Sequence, residues 1–401
     1  MTLTKKQAQK NIKLYGLINL ISGITFLVPI ISIFYKYTGL STFEIVLISN
    51  VLTLWMWIFE LPTSVLGDTF GRKKSLMASV ICNFLCTLFI LFMPNLVWFC
   101  IAAAFQALYY SFWSGTWQAF LEENLSKTGE KDKFWRLFWK FTFYGEFPAI
   151  ITPVIASMIL KFAPEMWYTI LAILDCVSAF ALVFLTYQLT ETYYIKEKIQ
   201  SFKHAIKLNI DTGKNAIKEV FWDKDVRTFL IYRALSYHVA FFDVLLLPIL
   251  SEKGMIDWVS WLITTIFAVW SMFASKYAYK WWEKYGYNHA WAWSTIWEAI
   301  CLIVAWICFK SWIFLAILYF IFSVFNWIIQ PAWNHELVYR TKWKSIATSR
   351  SIIISFVALY MTFMKWILSY IQPNLALIII WVIMIVANVI FAEKMLSKRS
   401  D

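Results

Sequence analysis

Charged residues are scarce in this chain. Only 15% of its 401 residues are Asp, Glu, Lys or Arg, whereas 61% are hydrophobic and the mean hydropathy is +0.63. A soluble domain of this size needs far more polar surface to face water. The composition therefore excludes an ordinary soluble protein and predicts an all-α integral membrane protein, because a bilayer accepts long apolar helices.

Histidine and cysteine, which supply many metal sites and nucleophiles, are also few. The chain has four His and six Cys, and every cysteine lies in an apolar segment, so no disulfide framework is predicted. His335 and Glu336 begin a zinc-binding helix pattern, but Tyr339 stands where the second His is required. Neither a nucleophile elbow nor a phosphate-binding loop motif occurs. We therefore predict no metal, no cofactor and no enzymatic activity.

Apolar segments long enough to cross a bilayer recur from one end of the chain to the other. A span needs roughly 20 apolar residues, so a chain of this length has room for a dozen spans and short loops. The segments predicted to cross the membrane are 13–34, 43–64, 75–93, 96–120, 138–160, 167–189, 227–250, 257–280, 289–309, 312–331, 347–370 and 375–393.

The positive charges predict how these spans are oriented. Most of the 36 Lys and Arg residues fall in loops on the same side as the N-terminus, whereas Lys36, Lys161, Lys253 and Lys310 fall on the other side. The positive-inside rule then predicts a multi-pass protein of the plasma (inner) membrane with both termini cytoplasmic. Short loops also account for the net charge of +12, so no nucleic-acid partner is predicted.

The longest loop, residues 191–226, is predicted to form a cytoplasmic amphipathic linker helix. Its apolar residues recur every three or four positions, while Lys203, Lys207, Lys214 and Lys218 occupy other faces. Such a helix is typical of contact with anionic membrane lipid, and a calmodulin-like partner is the alternative. The linker divides the chain into an N-terminal six-helix bundle, 1–190, and a C-terminal six-helix bundle, 227–401.

An internal repeat supports these two halves. A shift of 215 residues places Asp68-x-x-Gly71 on Glu283-x-x-Gly286, each in the loop after the second span of its half. The same shift places Gly39 on Gly254, and each of these glycines lies in the outer loop after the first span of its half. Two matched loops at one offset indicate a duplicated half, and whether the second copy of the motif functions stays open.

The loop after the second span carries the most specific motif. Gly71 permits a tight turn, and Arg72, Lys73 and Lys74 anchor the loop on the cytoplasmic side. Asp68, at the end of the span, can accept hydrogen bonds from a helix N-terminus or a cation. This segment resembles the signature loop between spans two and three of major facilitator superfamily (MFS) transporters of the bacterial type.

A second segment and one departure accompany this resemblance. Residues 114–125 resemble the end of the fourth span in many bacterial members, whereas Ser64 stands where the signature loop has its first glycine. The resemblance implies the MFS fold, with twelve transmembrane helices in two six-helix bundles related by pseudo-two-fold symmetry. It also implies that Asp68, Gly71, Arg72 and Lys73 form a gating motif that clasps the cytoplasmic side of the outward-facing state.

Ionisable residues within spans are expensive in a bilayer and therefore indicate function. By resemblance, those in spans five, seven and eleven face the central cavity and are predicted substrate or coupling residues, namely Glu146, Arg233, His238, Asp243 and Lys365. The acidic residues predicted to be structural or at span ends are Glu60, Glu123, Asp175 and Glu298. A buried carboxyl group such as that of Glu146 could carry a coupling proton, and a satisfied ion pair between helices is the alternative.

These features predict a secondary active or facilitative transporter that moves a small solute by alternating access, as a monomer surrounded by lipid. Aromatic residues make up 20% of the chain, which favours efflux of drug-like, hydrophobic or cationic solutes. Gln106 argues against a drug/proton antiporter, because those members carry Arg in the fourth span. The coupling species, a proton or another ion, stays open. The alternative is a non-transporting protein of the same fold that senses, scaffolds or moves lipid.

Overall fold

The computed structural model describes residues 3–114, 116–192, 224–236, 287–307, 311–322, 359–367 and 373–396, together with single residues between these segments. All regular structure in this part of the chain is helical and none of it is β-strand, so the predicted all-α class is confirmed.

Nine α-helices follow one another in the described part of the first half, which ends at residue 192. They are α1 (Lys5–Ser22), α2 (Ile31–Tyr37), α3 (Thr42–Phe70), α4 (Arg72–Phe92), α5 (Leu96–Trp113), α6 (Thr116–Thr128), α7 (Phe134–Glu146), α8 (Pro148–Phe162) and α9 (Trp167–Tyr187). Local sequence explains several starts. Thr4 and Gln7 form a capping box at α1, Asn95 caps α5, and Pro148 occupies the first turn of α8, where its missing N–H is not needed.

Five helical stretches among the described residues are long and apolar enough to cross a membrane. They are Thr42–Glu60, Arg72–Phe92, Leu96–Thr128, Arg136–Phe162 and Trp167–Tyr187. Each overlaps one of the predicted spans two to six. The stretch Leu96–Thr128 combines α5 and α6, and the stretch Arg136–Phe162 combines α7 and α8. The loops between these spans are short, as the sequence predicts.

The first predicted span, 13–34, is not one continuous helix. Helix α1 ends at Ser22, and a 3-10 turn at Val28–Ile30 leads into α2. Pro29 lies in this turn, and proline lacks an N–H and clashes with the carbonyl four residues earlier, so an uninterrupted helix is disfavoured here. The sequence predicts one helix here because apolar residues predominate in this stretch.

The described helices of the second half are α10 (Lys224–Ser236), α11 (Tyr287–Ile307), a shorter apolar helix at Trp312–Phe322, a helical segment at 359–367, and α12 (Pro373–Leu396). Helix α12 packs against both α10 and α11. These helices overlap five of the spans predicted for this half, and the total of twelve spans stays a prediction.

The chain divides into two compact units. One comprises Met1–Phe34 and Val51–Ala216, and the other comprises Tyr35–Asn50 and Ile217–Asp401. The end of α2 and the start of α3 therefore belong to the second unit. Nearly all of the predicted linker helix, 191–226, lies outside the described residues, so the predicted domain boundaries remain predictions.

Candidate functional site

A single residue, Gly71, joins α3 to α4 at the predicted gating motif. Its φ of 105° lies in the region that glycine adopts far more readily than other residues. A Cβ atom at this position would also overlap a carboxylate oxygen of Glu191. Glycine is thus favoured at this turn for two independent reasons, the backbone conformation and the close approach of Glu191.

The Glu191 carboxylate lies at the N-terminus of α4. Both of its oxygens are 3.2 Å from the backbone nitrogen of Lys73, which donates to them. The first N–H groups of a helix have no partner within the helix, and the helix dipole favours a negative charge there. The Lys73 ammonium lies 5.2 Å from the centre of the Tyr187 ring, at the end of α9. These contacts bind the start of α4 to the segment that follows α9.

Arg72 forms the second connection of this loop. Its Nε atom lies 3.2 Å from Oε1 of Glu123 in α6, and the hydroxyl of Thr192 donates to the other carboxylate oxygen. Both charged side chains are largely shielded, with 15% and 27% of their surfaces exposed, so water screens this pair less than a fully exposed one. We call this group the loop latch; its members are Gly71, Arg72, Lys73, Glu123, Glu191 and Thr192.

Several predicted residues cannot be placed in this latch. Asp68 lies in the last turn of α3, but its side chain is outside the described set. His238, Asp243, Glu283 and Gly286 are also outside the described residues. The roles predicted for them therefore remain predictions, as does the gating role of the whole motif.

A buried amide network, which the sequence did not predict, connects α1 to α6 and to the segment that follows α9. Asn11 Nδ2 donates to Asn124 Oδ1 and to the backbone oxygen of Thr190, each at 2.9 Å, and Asn11 Oδ1 accepts the backbone N–H of Thr190 at 2.9 Å. Both Asn side chains are fully buried. Asn124 also donates to the backbone oxygen of Phe120. An Asn near the start of the first span was the available signal, because a buried amide needs partners.

Replacing Gly71 by alanine tests the latch turn. We expect the free energy of unfolding to fall by about 2 to 3 kcal/mol. The strained backbone accounts for about 1–2 kcal/mol of this loss, and the displacement of Glu191 from the Lys73 N–H for about 1 kcal/mol. The matched control is Gly129→Ala, because Gly129 has a φ of 81° but nothing within 4 Å of a Cβ atom. Thermal unfolding of the purified protein in detergent measures both. Equal losses would show that Glu191 does not approach Gly71 closely.

An aromatic cluster connects spans one, four and five in the first unit. The Tyr15 ring stacks on Trp117 with 3.9 Å between centroids, and Trp113 also stacks on Trp117, at 4.2 Å. Trp117 Nε1 donates to Asn19 Oδ1 at 3.4 Å, and Phe141 contacts the Tyr15 ring. Tyr15 and Trp117 are almost fully buried, so this part of the aromatic content fills the helix core.

Spans one and five cross with almost no space between their backbones. At Gly23 a Cβ atom would overlap the carbonyl oxygen of Gly145 and lie 2.8 Å from its carbonyl carbon. At Gly145 a Cβ atom would lie 3.3 Å from the backbone oxygen of Asn19. Glycine permits such close approach between membrane helices. The predicted coupling residue Glu146 follows directly, at the end of α7, and the described part of the chain gives its carboxylate no hydrogen bond or ion pair.

Asp175, in the middle of α9, accepts hydrogen bonds from the backbone at the break in the first span. Its two carboxylate oxygens accept the backbone N–H groups of Phe26 and Leu27, at 2.7 and 2.9 Å. The side chain is only 6% exposed. These N–H groups precede the 3-10 turn and therefore have no partner within a helix, so the carboxylate replaces the missing hydrogen bonds.

Solved structures share this architecture over nearly the whole chain. A mutant of the nucleoside transporter NupG has a TM-score of 0.72 at 11% identity, covering 97% of this chain and 99% of that one. A D-xylose-proton symporter has a TM-score of 0.72 at 13% identity over 96% of both chains. A POT family transporter in complex with 5-aminolevulinic acid has a TM-score of 0.70 at 12% identity, over 97% and 95%. The chain has the major facilitator fold.

This result confirms the fold expected from the signature loop and with it a multi-pass membrane architecture. No protein-family model and no curated protein sequence matches the chain. The major facilitator fold therefore rests on structural similarity, at sequence identities of 11 to 13%.

Within the major facilitator fold, two further charged residues of the spans, Glu60 and Lys365, have described surroundings. Glu60 is buried in α3 and accepts the hydroxyl of Ser114 at 2.8 Å. In the second unit, the buried Lys365 ammonium donates to Ser49 Oγ at 2.8 Å. The structure thus brings Lys365 to a residue of the second predicted span, a contact that the sequence analysis did not anticipate.

Arg233 and Glu298 are both buried in the second unit, on α10 and α11. Glu298 lies within electrostatic reach of Arg233. The described charge near Arg233 is that of Glu298. The substrate or coupling roles of Arg233 and Lys365 stay predictions.

Proposed function

We propose that this chain moves a small solute across the plasma membrane by alternating access, as a secondary active or facilitative transporter. The loop latch carries this proposal. Its contacts are an ion pair and hydrogen bonds to backbone N–H groups at the ends of helices. Breaking contacts of this kind would leave the apolar core intact. Alternating access requires contacts of this kind, because the free energies of the two states must stay close to each other.

Small polar organic compounds are the solute class we infer. The similar structures are named for a nucleoside transporter and a D-xylose-proton symporter, and one is a complex with 5-aminolevulinic acid. The burial of Tyr15 and Trp117 in the helix core weakens the argument that aromatic content favours drug-like solutes. The proposed substrate or coupling residues remain Glu146, Arg233, His238, Asp243 and Lys365.

The test is uptake into proteoliposomes of a labelled panel of nucleosides, pentoses and small amino acids. We expect wild-type protein to take up at least one class and Arg72→Ala to reduce that uptake about fivefold, since losing about 1 kcal/mol of a shielded ion pair changes an equilibrium by about that factor. The matched control is Lys74→Ala, which removes an exposed charge from the same loop and should reduce uptake less than about twofold.

Two outcomes would contradict the proposal. If folded wild-type protein takes up no member of a broad panel, the chain is a non-transporting protein of this fold. If Arg72→Ala and Lys74→Ala behave alike, uptake does not depend on the loop latch.

A further inference from the structure

Two buried polar atoms on one face of α11 have no hydrogen-bond partner among the residues that the structure describes. They are Oγ of Ser294 and Oε1 of Glu298. Ser294 is fully buried and Glu298 is 1% exposed. A buried polar atom without a partner costs about 1–3 kcal/mol, so two such atoms on one helix face need an explanation.

The spacing of the two residues fits one water molecule between them. Residues four apart on a helix lie on the same face with about 5–6 Å between their Cβ atoms, a separation that a single bridging water can span. Buried waters typically make two to four hydrogen bonds to polar groups that are otherwise unsatisfied. A water donating to Glu298 and accepting from Ser294 would satisfy both atoms.

The surroundings of Glu298 also suit a group that gains and loses a proton. Arg233 on α10 is the described cation in its vicinity, and Cys301 is the titratable neighbour on its own helix. Helix α12, which packs against α11, has as its buried described side chains Ile380, Met384 and Ala387, all apolar. An ionised carboxylate has about four lone-pair sites that need donors, whereas a protonated one needs fewer donors and donates a hydrogen bond itself.

We propose that Glu298, Ser294 and Arg233 form a buried proton-binding site in which a water molecule bridges Ser294 and Glu298, and that this proton is the coupling ion of the transport. The coupling part rests on the function proposed above, whereas the proton site does not. Protonation removes the charge of Glu298 and thereby frees Arg233 from one electrostatic partner. The sequence analysis assigned Glu298 a structural role, and the two partnerless buried atoms are the reason to revise that assignment.

Infrared difference spectroscopy of the purified protein tests the site without any solute. We expect wild-type protein to show the C=O stretching band of a protonated carboxyl group, to lose part of that band in Glu298→Gln, and to shift it in Ser294→Ala because a hydrogen-bonded water is lost. The control Glu122→Gln removes an exposed carboxylate that pairs with Lys131 and should leave the band unchanged.

An unchanged band in Glu298→Gln would show that Glu298 is permanently ionised beside Arg233, and the proposal would be wrong. Ser294→Ala keeps the test decisive if Glu298→Gln fails to fold, because an unshifted band in folded Ser294→Ala would exclude the bridging water. In proteoliposomes, an inward proton gradient should accelerate wild-type uptake and have no effect on Glu298→Gln. Positive infrared results without uptake of any solute would overturn the transport proposal and leave the proton site standing.

Discussion

Replacing Gly23 by alanine is expected to destabilise the first unit by about 3 kcal/mol, near the upper end for overpacking, and to abolish any transport. The new Cβ atom would overlap the backbone oxygen of Gly145, which belongs to a helix and cannot rotate away as a side chain can. Spans one and five would have to separate along the segment that also carries Glu146. The melting temperature in detergent, followed by tryptophan fluorescence, measures the effect.

Two other glycines provide graded controls for this prediction. At Gly16 a Cβ atom would lie 2.7 Å from the Phe141 ring, a side chain that can shift, so Gly16→Ala should cost less. At Gly39 nothing lies within 4 Å, so Gly39→Ala should cost only the strain of a φ of 87°, about 1–2 kcal/mol. If Gly23→Ala melts no earlier than Gly39→Ala, the two spans do not cross closely at Gly23.

Replacing Asp175 by alanine is expected to cost about 4 kcal/mol, because it leaves two buried N–H groups without acceptors at about 1–3 kcal/mol each. These groups belong to Phe26 and Leu27 at the break in the first span. Asp175→Asn keeps one acceptor oxygen, so its loss of unfolding free energy should be about half that of Asp175→Ala. Besides the melting temperature, hydrogen exchange at residues 23–30 should accelerate in Asp175→Ala, since the break loses its only described side-chain acceptor.

Ser178 provides the matched control for Asp175. It lies on the same helix, and its hydroxyl donates to the backbone oxygen of Asp175, so Ser178→Ala removes a nearby hydrogen bond without touching the first span. We expect this variant to lose less than about 1 kcal/mol and to leave exchange at residues 23–30 unchanged. If Asp175→Ala and Ser178→Ala are equally stable, the Asp175 carboxylate does not stabilise the break in the first span.

Spans two to six could be predicted from the sequence because each is a local property. An apolar run of sufficient length between charged or glycine-containing turns predicts a span wherever it occurs. The first span shows the limit of this reasoning. Its composition is as apolar as that of the others, yet Pro29 and a carboxylate 149 positions away from Phe26 interrupt it.

The loop latch could be predicted in part. The spacing of Gly71, Arg72 and Lys73 identified the motif, because a turn glycine next to clustered cations is recognisable in one short segment. The sequence could not show that Glu123 pairs with Arg72 and that Glu191 caps α4. These partners are 51 and 118 positions away from Arg72 and Lys73, and only the packing of the helices decides such contacts.

The sequence by itself determined the helical membrane class and the residues of the signature loop, because apolar composition and turn spacing act over a few helical turns. Only the tertiary structure decided that Asp175 completes the broken first span, that Gly23 meets Gly145, and that Glu298 and Arg233 are buried within reach of each other. The physical reason is the same in each case. A bilayer accepts almost any apolar helix, whereas a buried polar group requires a particular partner, and that partner is supplied by another helix far away in the chain.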